Sequence, residues 1–397
     1  MAFPPIPAAS VTADLSALLD RAGLALWRLD GAFSAHLDAS AFEVMQLLRE
    51  AVLSCRIERG SSGFAAVLAA AVDLDDDERD SDAMAPVRCR KALERSVAEA
   101  GEEPLTLDRL ATVQTALARR GARKGGFADG AIDKQETKLA AALVELDEFL
   151  LAQGGLPDLV RIGIAQAQLA RLFPAGAKDG RLERIAGLAM FRRVGVPGAS
   201  ALAMSPYFQS NRSEYQAQLR GPTASWLDFF VKGVAESATE AAGMIGRCAV
   251  LARDHREAIS AGLGHAVGRG LRVYGRLTTE PVATVSEIQA ITGTSYVATN
   301  QLVARFVDMG ILDEITGYRR NRRFQYGPYV RVFDPDATAD PAPERRAPRP
   351  VPRPPRRPTA SKAPRRRAAS SPRRPSPAPP SPKPRRRPSP SFSDHLL

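Results

Sequence analysis

Histidine is scarce in this chain: four among 397 residues, with none between His36 and His255. Chemistry that relies on an imidazole as general base has no candidate across that whole interval. Cysteine is scarcer still. Cys55, Cys89 and Cys248 are far apart and odd in number, which argues against a disulfide frame or a zinc site. They read as small buried apolar residues in a reducing, cytoplasmic setting. No run of about 18 apolar residues occurs, so no membrane-spanning helix is expected. The opening residues Met1 to Pro7 lack the basic and apolar regions of a signal peptide.

What is present is unevenly distributed. Residues 341–397 hold 16 Lys and Arg against two acids, Glu344 and Asp394, a net +14, which leaves residues 1–340 at about −3. The overall charge of +11 therefore belongs to an appendage rather than to the body. The abundance of Ala, Arg and Pro suits a high-GC bacterial genome. Apolar positions recur at three and four through Leu15–Gly31, Phe42–Leu53, Val87–Ala100, Leu107–Arg119, Lys134–Leu151, Leu182–Phe191 and Thr239–Ser260. That periodicity predicts a mainly α fold. Residues 71–86 read as an acidic connector and 119–130 as a basic, glycine-rich surface loop.

The stretch Arg161–Met190 reads as a helix, a break from Pro174 to Gly180, and a second helix. Asp179 is placed to cap that second helix, and Arg181 and Arg184 share a face near its start. A helix start preceded by glycine and flanked by arginines is a candidate phosphate site.

In its surroundings this stretch resembles the Fic (fido-domain) family of protein adenylyltransferases, whose signature is H-P-F-x-D/E-G-N-G-R-x-G-R. Pro174, Gly180, Arg181 and Arg184 match that pattern. Phe173 stands at the histidine, Ala175 at the phenylalanine, Ala177 at the acid, Lys178 at the first glycine, Asp179 at the asparagine and Glu183 at the last glycine. An alternative register, with a two-residue deletion, makes Asp179 and Gly180 the acid and glycine but restores no histidine. The resemblance implies nucleotide binding by Gly180, Arg181 and Arg184, with ATP and Mg as ligands if the pocket still works. It also implies that the catalytic base and the magnesium ligand are gone, because Phe173 has no lone pair and alanine cannot ligate a cation.

Other stretches carry the same likeness. Arg49–Glu58 resembles the segment preceding many Fic cores, with Ser54 and Glu58 at the positions of the inhibitory S-x-x-x-E motif and Arg59 where a glycine is usual. In that family the glutamate pairs with the second signature arginine, here Arg184. Met204–Tyr215 resembles the S-x-Y-F-x-x-N-R-x-E-Y-Y element, and Trp226–Val234 the W-x-x-F-F-L-x-G-V helix; both are scaffold. The family's β-hairpin flap is missing, because 119–130 leads almost directly into the helix at Lys134. The resemblance covers roughly the first 240 residues.

Residues 270–333 read as a winged helix-turn-helix. Thr284-Val-Ser286 starts a short helix over Ser286–Ile291, Thr292–Thr294 forms the turn, and Ser295 caps a second helix reaching Met309. Ala298, Leu302, Phe306 and Met309 are the expected inward stripe. Tyr296, Thr299 and Asn300 lie off it, where a recognition helix meets base edges. The turn between two strand-like runs is a wing carrying Arg319, Arg320, Arg322 and Arg323. Many Fic proteins are followed by such a domain. It also suits dimerisation or a protein partner. Beyond it, Pro-Arg-Arg blocks with almost no large apolar residues predict a disordered arm suited to lying along phosphates.

The expected plan is an N-terminal helical region (1–86), a degenerate Fic core (87–240), a linker helix with the winged helix-turn-helix (241–335) and a basic Pro/Arg/Ser-rich tail (336–397). The expected function is nucleic-acid binding or regulation on a catalytically impaired scaffold, with a homodimer or protein partner open and no membrane. The alternatives are a transferase that uses a base other than histidine, and an ATP sensor without turnover.

Overall fold

The computed structural model describes residues 11–36, 38–58, 62–70, 84–100, 104, 106–118, 134–152, 155–172, 180–317 and 322–337. The fold is mainly helical. In chain order the helices of the body are α1 (Ala13–Ser34), α2 (Ala39–Ile57), α3 (Phe64–Ala70), α4 (Ala85–Glu99), α5 (Leu107–Leu117), α6 (Lys134–Leu151), α7 (Asp158–Leu172), α8 (Arg181–Val194), α9 (Ser205–Ser210), α10 (Arg212–Gln218) and α11 (Thr223–Gly262). Among the described residues no helix is long and apolar enough to cross a membrane. Cys55, Cys89 and Cys248 are free thiols, and all three are buried.

α11 is the spine. Its 40 residues extend for about 60 Å at 1.5 Å per residue. α1 lies along it, and α7 crosses it at Gly163. A Cβ on Gly163 would stand 2.9 Å from carbons of Leu227 and Phe230, so only glycine allows this approach. Trp226 Nε1 donates to the Gly163 carbonyl at 2.7 Å and fixes the crossing. Phe208, Tyr215, Trp226, Phe229 and Phe230 pack ring to ring in the core, so the aromatic clusters of 204–230 are scaffold.

Some elements depart from the sequence reading. α1 runs through Gly31 to Ser34, because nothing at Gly31 interrupts its hydrogen bonds. The expected boundary at 240/241 falls inside α11 and the one at 86/87 inside α4. Residues 1–340 form a single compact unit, with the described core continuous through α11. Of the acidic connector 71–86, residues 71–83 lie outside the described residues while Met84 caps α4 and Ala85 and Pro86 open it; the basic loop 119–130 and all of the tail but Asp336 and Ala337 also lie outside them.

The C-terminal part of this unit is a winged helix. It comprises α12 (Val267–Thr279), β1 (Val282–Thr284), α13 (Val285–Thr292), α14 (Tyr296–Asp308), β2 (Asp313–Glu314) and β3 (Arg323–Gln325), followed by α15 (Gly327–Phe333). The strands form an antiparallel sheet in the order β1-β3-β2. α13 starts at Val285, one residue before the expected Ser286. Its cap is Thr284, in a reciprocal box with Glu287: Thr284 N donates to Glu287 Oε2 (2.6 Å) and Glu287 N to Thr284 Oγ1 (3.2 Å). Gly293 takes a left-handed φ of 63° and ends α13, and Ser295 Oγ accepts from Ala298 N to begin α14.

The winged unit is seated on the body by buried polar and aromatic contacts. Phe333 packs on Phe42 of α2 with centroids 5.2 Å apart. The Tyr326 hydroxyl lies 2.7 Å from both His255 Nδ1 on α11 and the Tyr274 hydroxyl on α12. Burial lowers the His255 pKa, opposed by Asp254. The folded protein therefore resists the proton that the unfolded chain accepts below about pH 6.5, and stability falls as pH drops through that value. His36 shifts in the same direction, so the contribution of His255 is a difference. Urea midpoints at pH 7.5 and 5.5 are expected to lie closer together in His255→Gln than in the wild type.

Candidate functional site

The first site forms where the C-terminal end of α2 meets the start of α8. Arg184 sits in the first turn of α8 and is only 3% exposed. A guanidinium at that depth must have its donors satisfied. Its Nε donates to Ser54 Oγ at 2.8 Å, and its Nη2 donates to the Ser54 carbonyl (3.0 Å) and Glu58 Oε1 (2.9 Å). Its Nη1 faces Glu183 Oε1 at 3.9 Å, and that carboxylate also accepts from the Tyr215 hydroxyl at 2.9 Å. Burial works to lower the Arg184 pKa, but Tyr215, Glu183 and Glu58 outweigh it and hold the group above its ordinary value. The guanidinium stays charged.

Ser54, Glu58 and Arg184 are thus brought together across 126 to 130 positions of sequence. Glu58 terminates α2, and its carboxylate lies against the start of α8, where helix amides favour an anion. Gly180 occupies the cap position of α8 without a side-chain bond, while Asp179, the expected cap, lies outside the described residues. A Cβ on Gly180 would stand 2.7 Å from both Glu58 Oε1 and Arg184 Nη1. Gly180→Ala is therefore expected to spread the pair and destabilise the fold by about 1 kcal/mol. The cost should fall in a Glu58→Gly background, read from urea midpoints.

Arg181 is half-buried and directs Nη1 at Cys55 Sγ on α2 (3.7 Å). On the same helix Glu50 is fully buried; its carboxylate accepts from the Ser205 amide (2.8 Å) and hydroxyl (2.5 Å), and burial raises its pKa against those bonds. Glu58 occupies Nη2 of Arg184, so a phosphate taking that donor would have to displace the carboxylate. Among the described residues no three His, Cys, Asp or Glu side chains converge to hold a metal ion. Phe173, Ala177 and Lys178 lie outside the described residues. Sequence reasoning placed Glu183 only as a lost glycine; its pairing with Tyr215 could not be read from spacing.

The second site is the outer face of the winged unit. Tyr296 and Val297 are 54% and 68% exposed at the start of α14. Thr299 is not on that surface. It is fully buried, its hydroxyl donating to the Ser295 carbonyl (3.1 Å) and lying 3.1 Å from Thr294 Oγ1. The inward stripe is Thr299, Leu302, Val303 and Phe306, while Ala298 is exposed. A threonine hydroxyl satisfied by the preceding turn can be buried, so Thr299 joins Leu302 and Phe306 on the inward side where Ala298 was expected.

Asn300 is half-buried and already committed. Its Nδ2 donates to the Tyr296 carbonyl (3.0 Å) and its Oδ1 accepts from Arg322 Nη2 (2.9 Å). Arg322 also lies 3.7 Å from Glu314 and over the Phe324 ring at 5.3 Å, so it ties the wing to α14. Arg323 N donates to Thr316 Oγ1 (3.1 Å), and Arg323 pairs with Thr284 in the sheet. Arg319 and Arg320 lie outside the described residues.

No family model matches this chain, and no curated protein matches it. The geometry of the two sites therefore carries the functional argument.

The outward face missed by sequence reasoning is Val297, Gln301 and Ala304, with Arg305 at its flank, all exposed. Once Ser295 is fixed as the cap, the 3.6-residue period finds these positions. The winged segment 264–333 carries nine arginines and five carboxylates, a net +4. Arg269 and Arg272 on α12 and Arg305 on α14 have no acidic partner among the described residues.

Proposed function

We propose that this chain is a Fic-type protein impaired in adenylylation that works as a nucleic-acid-binding regulator through its winged helix and basic tail. The observation that carries this reading is the winged unit, with an α14 face left open and Arg305 at its flank without a carboxylate partner among the described residues. Phosphates supply the missing counter-charge, and an exposed helix of this kind enters a major groove. The test is anisotropy of a labelled duplex titrated with the full chain at low salt. Val297→Glu puts an anion at the centre of the face without touching the core. It is expected to weaken binding by about tenfold or more; equal affinity in both proteins rejects the reading.

A second reading rests on Glu58. Its side chain is 32% exposed and lies beyond the end of α2, so it can swing away from Arg184. An open pocket would suit an ATP sensor, or a transferase with a base other than histidine. Calorimetry with ATP and magnesium tests this: heat from the wild type that disappears in Arg184→Ala supports it, and no heat from either rejects it.

A further inference from the structure

We propose that Gln301, framed by Val297 and Ala304, reads an A·T base pair from the major groove. This inference rests on the nucleic-acid reading above and adds the base chemistry of the target. The three residues stand at i, i+4 and i+7 on α14, opposite the buried Thr299, Leu302, Val303 and Phe306. They span about 10 Å of helix, the rise of roughly three base pairs.

The side chains at hand decide what the face can recognise. Gln301 is exposed, and its amide makes no hydrogen bond among the described residues, so a donor and an acceptor are both available. That pair matches adenine N7 and N6, the usual bidentate partner of a glutamine. Val297 and Ala304 present only methyl groups, which suit the thymine 5-methyl rather than the polar edge of a G·C pair. Arg305 flanks the face and is free to meet a phosphate. Asp308 continues the line one turn further and closes it with a negative charge. Two of the polar residues near the helix start cannot share the work: Thr299 is buried, and both ends of the Asn300 amide are occupied.

The experiment is selection from a pool of duplexes with a randomised core, using the full chain. The wild type is expected to enrich A·T pairs. Gln301→Ala should lose about tenfold of that discrimination at one position while still retaining duplex at low salt. Gln301→Arg should move the preference at that position toward G·C, because a guanidinium pairs with guanine O6 and N7. Equal melting temperatures confirm that these exposed substitutions leave the fold intact. The inference is overturned if the wild type binds without favouring A·T, or if both variants enrich the wild-type sequences. Failure of the wild type to retain any duplex rejects the nucleic-acid reading itself, and this inference with it.

Discussion

Raising the salt from about 50 to 200 mM is expected to lower the duplex affinity of the full chain by roughly ten-thousandfold to a hundred-thousandfold, and removing residues 338–397 should flatten that dependence. The reason lies in where the charge resides. Residues 341–397 carry +14 on a background of about −3, so most counterion release must come from the arm. Each phosphate neutralised adds about 0.9 to the slope of log affinity against log salt. An arm engaging about six phosphates steepens the slope by about five, while the winged unit alone, with Arg269, Arg272 and Arg305, leaves a slope near three. The truncated chain should therefore bind more weakly at low salt yet suffer less as salt rises. Parallel slopes in the two proteins would mean that the arm does not touch nucleic acid.

The second large effect concerns Arg184. Arg184→Ala is expected to cost about 3–5 kcal/mol of stability, since it removes the cation that Glu58 and Glu183 share and leaves the Ser54 carbonyl unbonded. Glu58→Ala should cost less, about 1–3 kcal/mol, because that carboxylate is partly hydrated and Arg184 keeps both bonds to Ser54. The double substitution should fall short of the sum, as the residues act on one contact. Urea unfolding of the three variants reads all of this. An Arg184→Ala variant that unfolds with the wild type would reduce the pair to a surface contact.

The two sites differ in how much of them could be read beforehand. The Glu58–Arg184 contact joins residues 126 positions apart, and no periodicity predicts it; only the resemblance of two separate stretches to one family did. Its completion by Glu183 and Tyr215 was invisible, because a glutamate in a helix's first turn reads as an ordinary capping charge. In the winged unit, Ser295 and Gly293 announce themselves by composition, so the helices and their order were legible. The phase of α14 was not. Thr299 looks like a surface residue until its hydroxyl is seen bonded to the Ser295 carbonyl and close to Thr294, whereas Tyr296 is exposed as expected. α11 was legible only as two pieces, Trp226–Val234 and Thr239–Ser260, which the structure joins in one helix with α1 packed along part of it.

We propose that the Arg184 pocket performs no nucleotidyl transfer, with Glu58 serving there as a counter-ion. The direct measurement is transfer of label from ATP to protein, in the presence of magnesium, by the wild type and by Glu58→Gly. The expectation is no labelled protein from either, because removing the carboxylate supplies no general base and no histidine lies between His36 and His255. Label appearing on a hydroxyl-bearing protein, above all with Glu58→Gly, would contradict it.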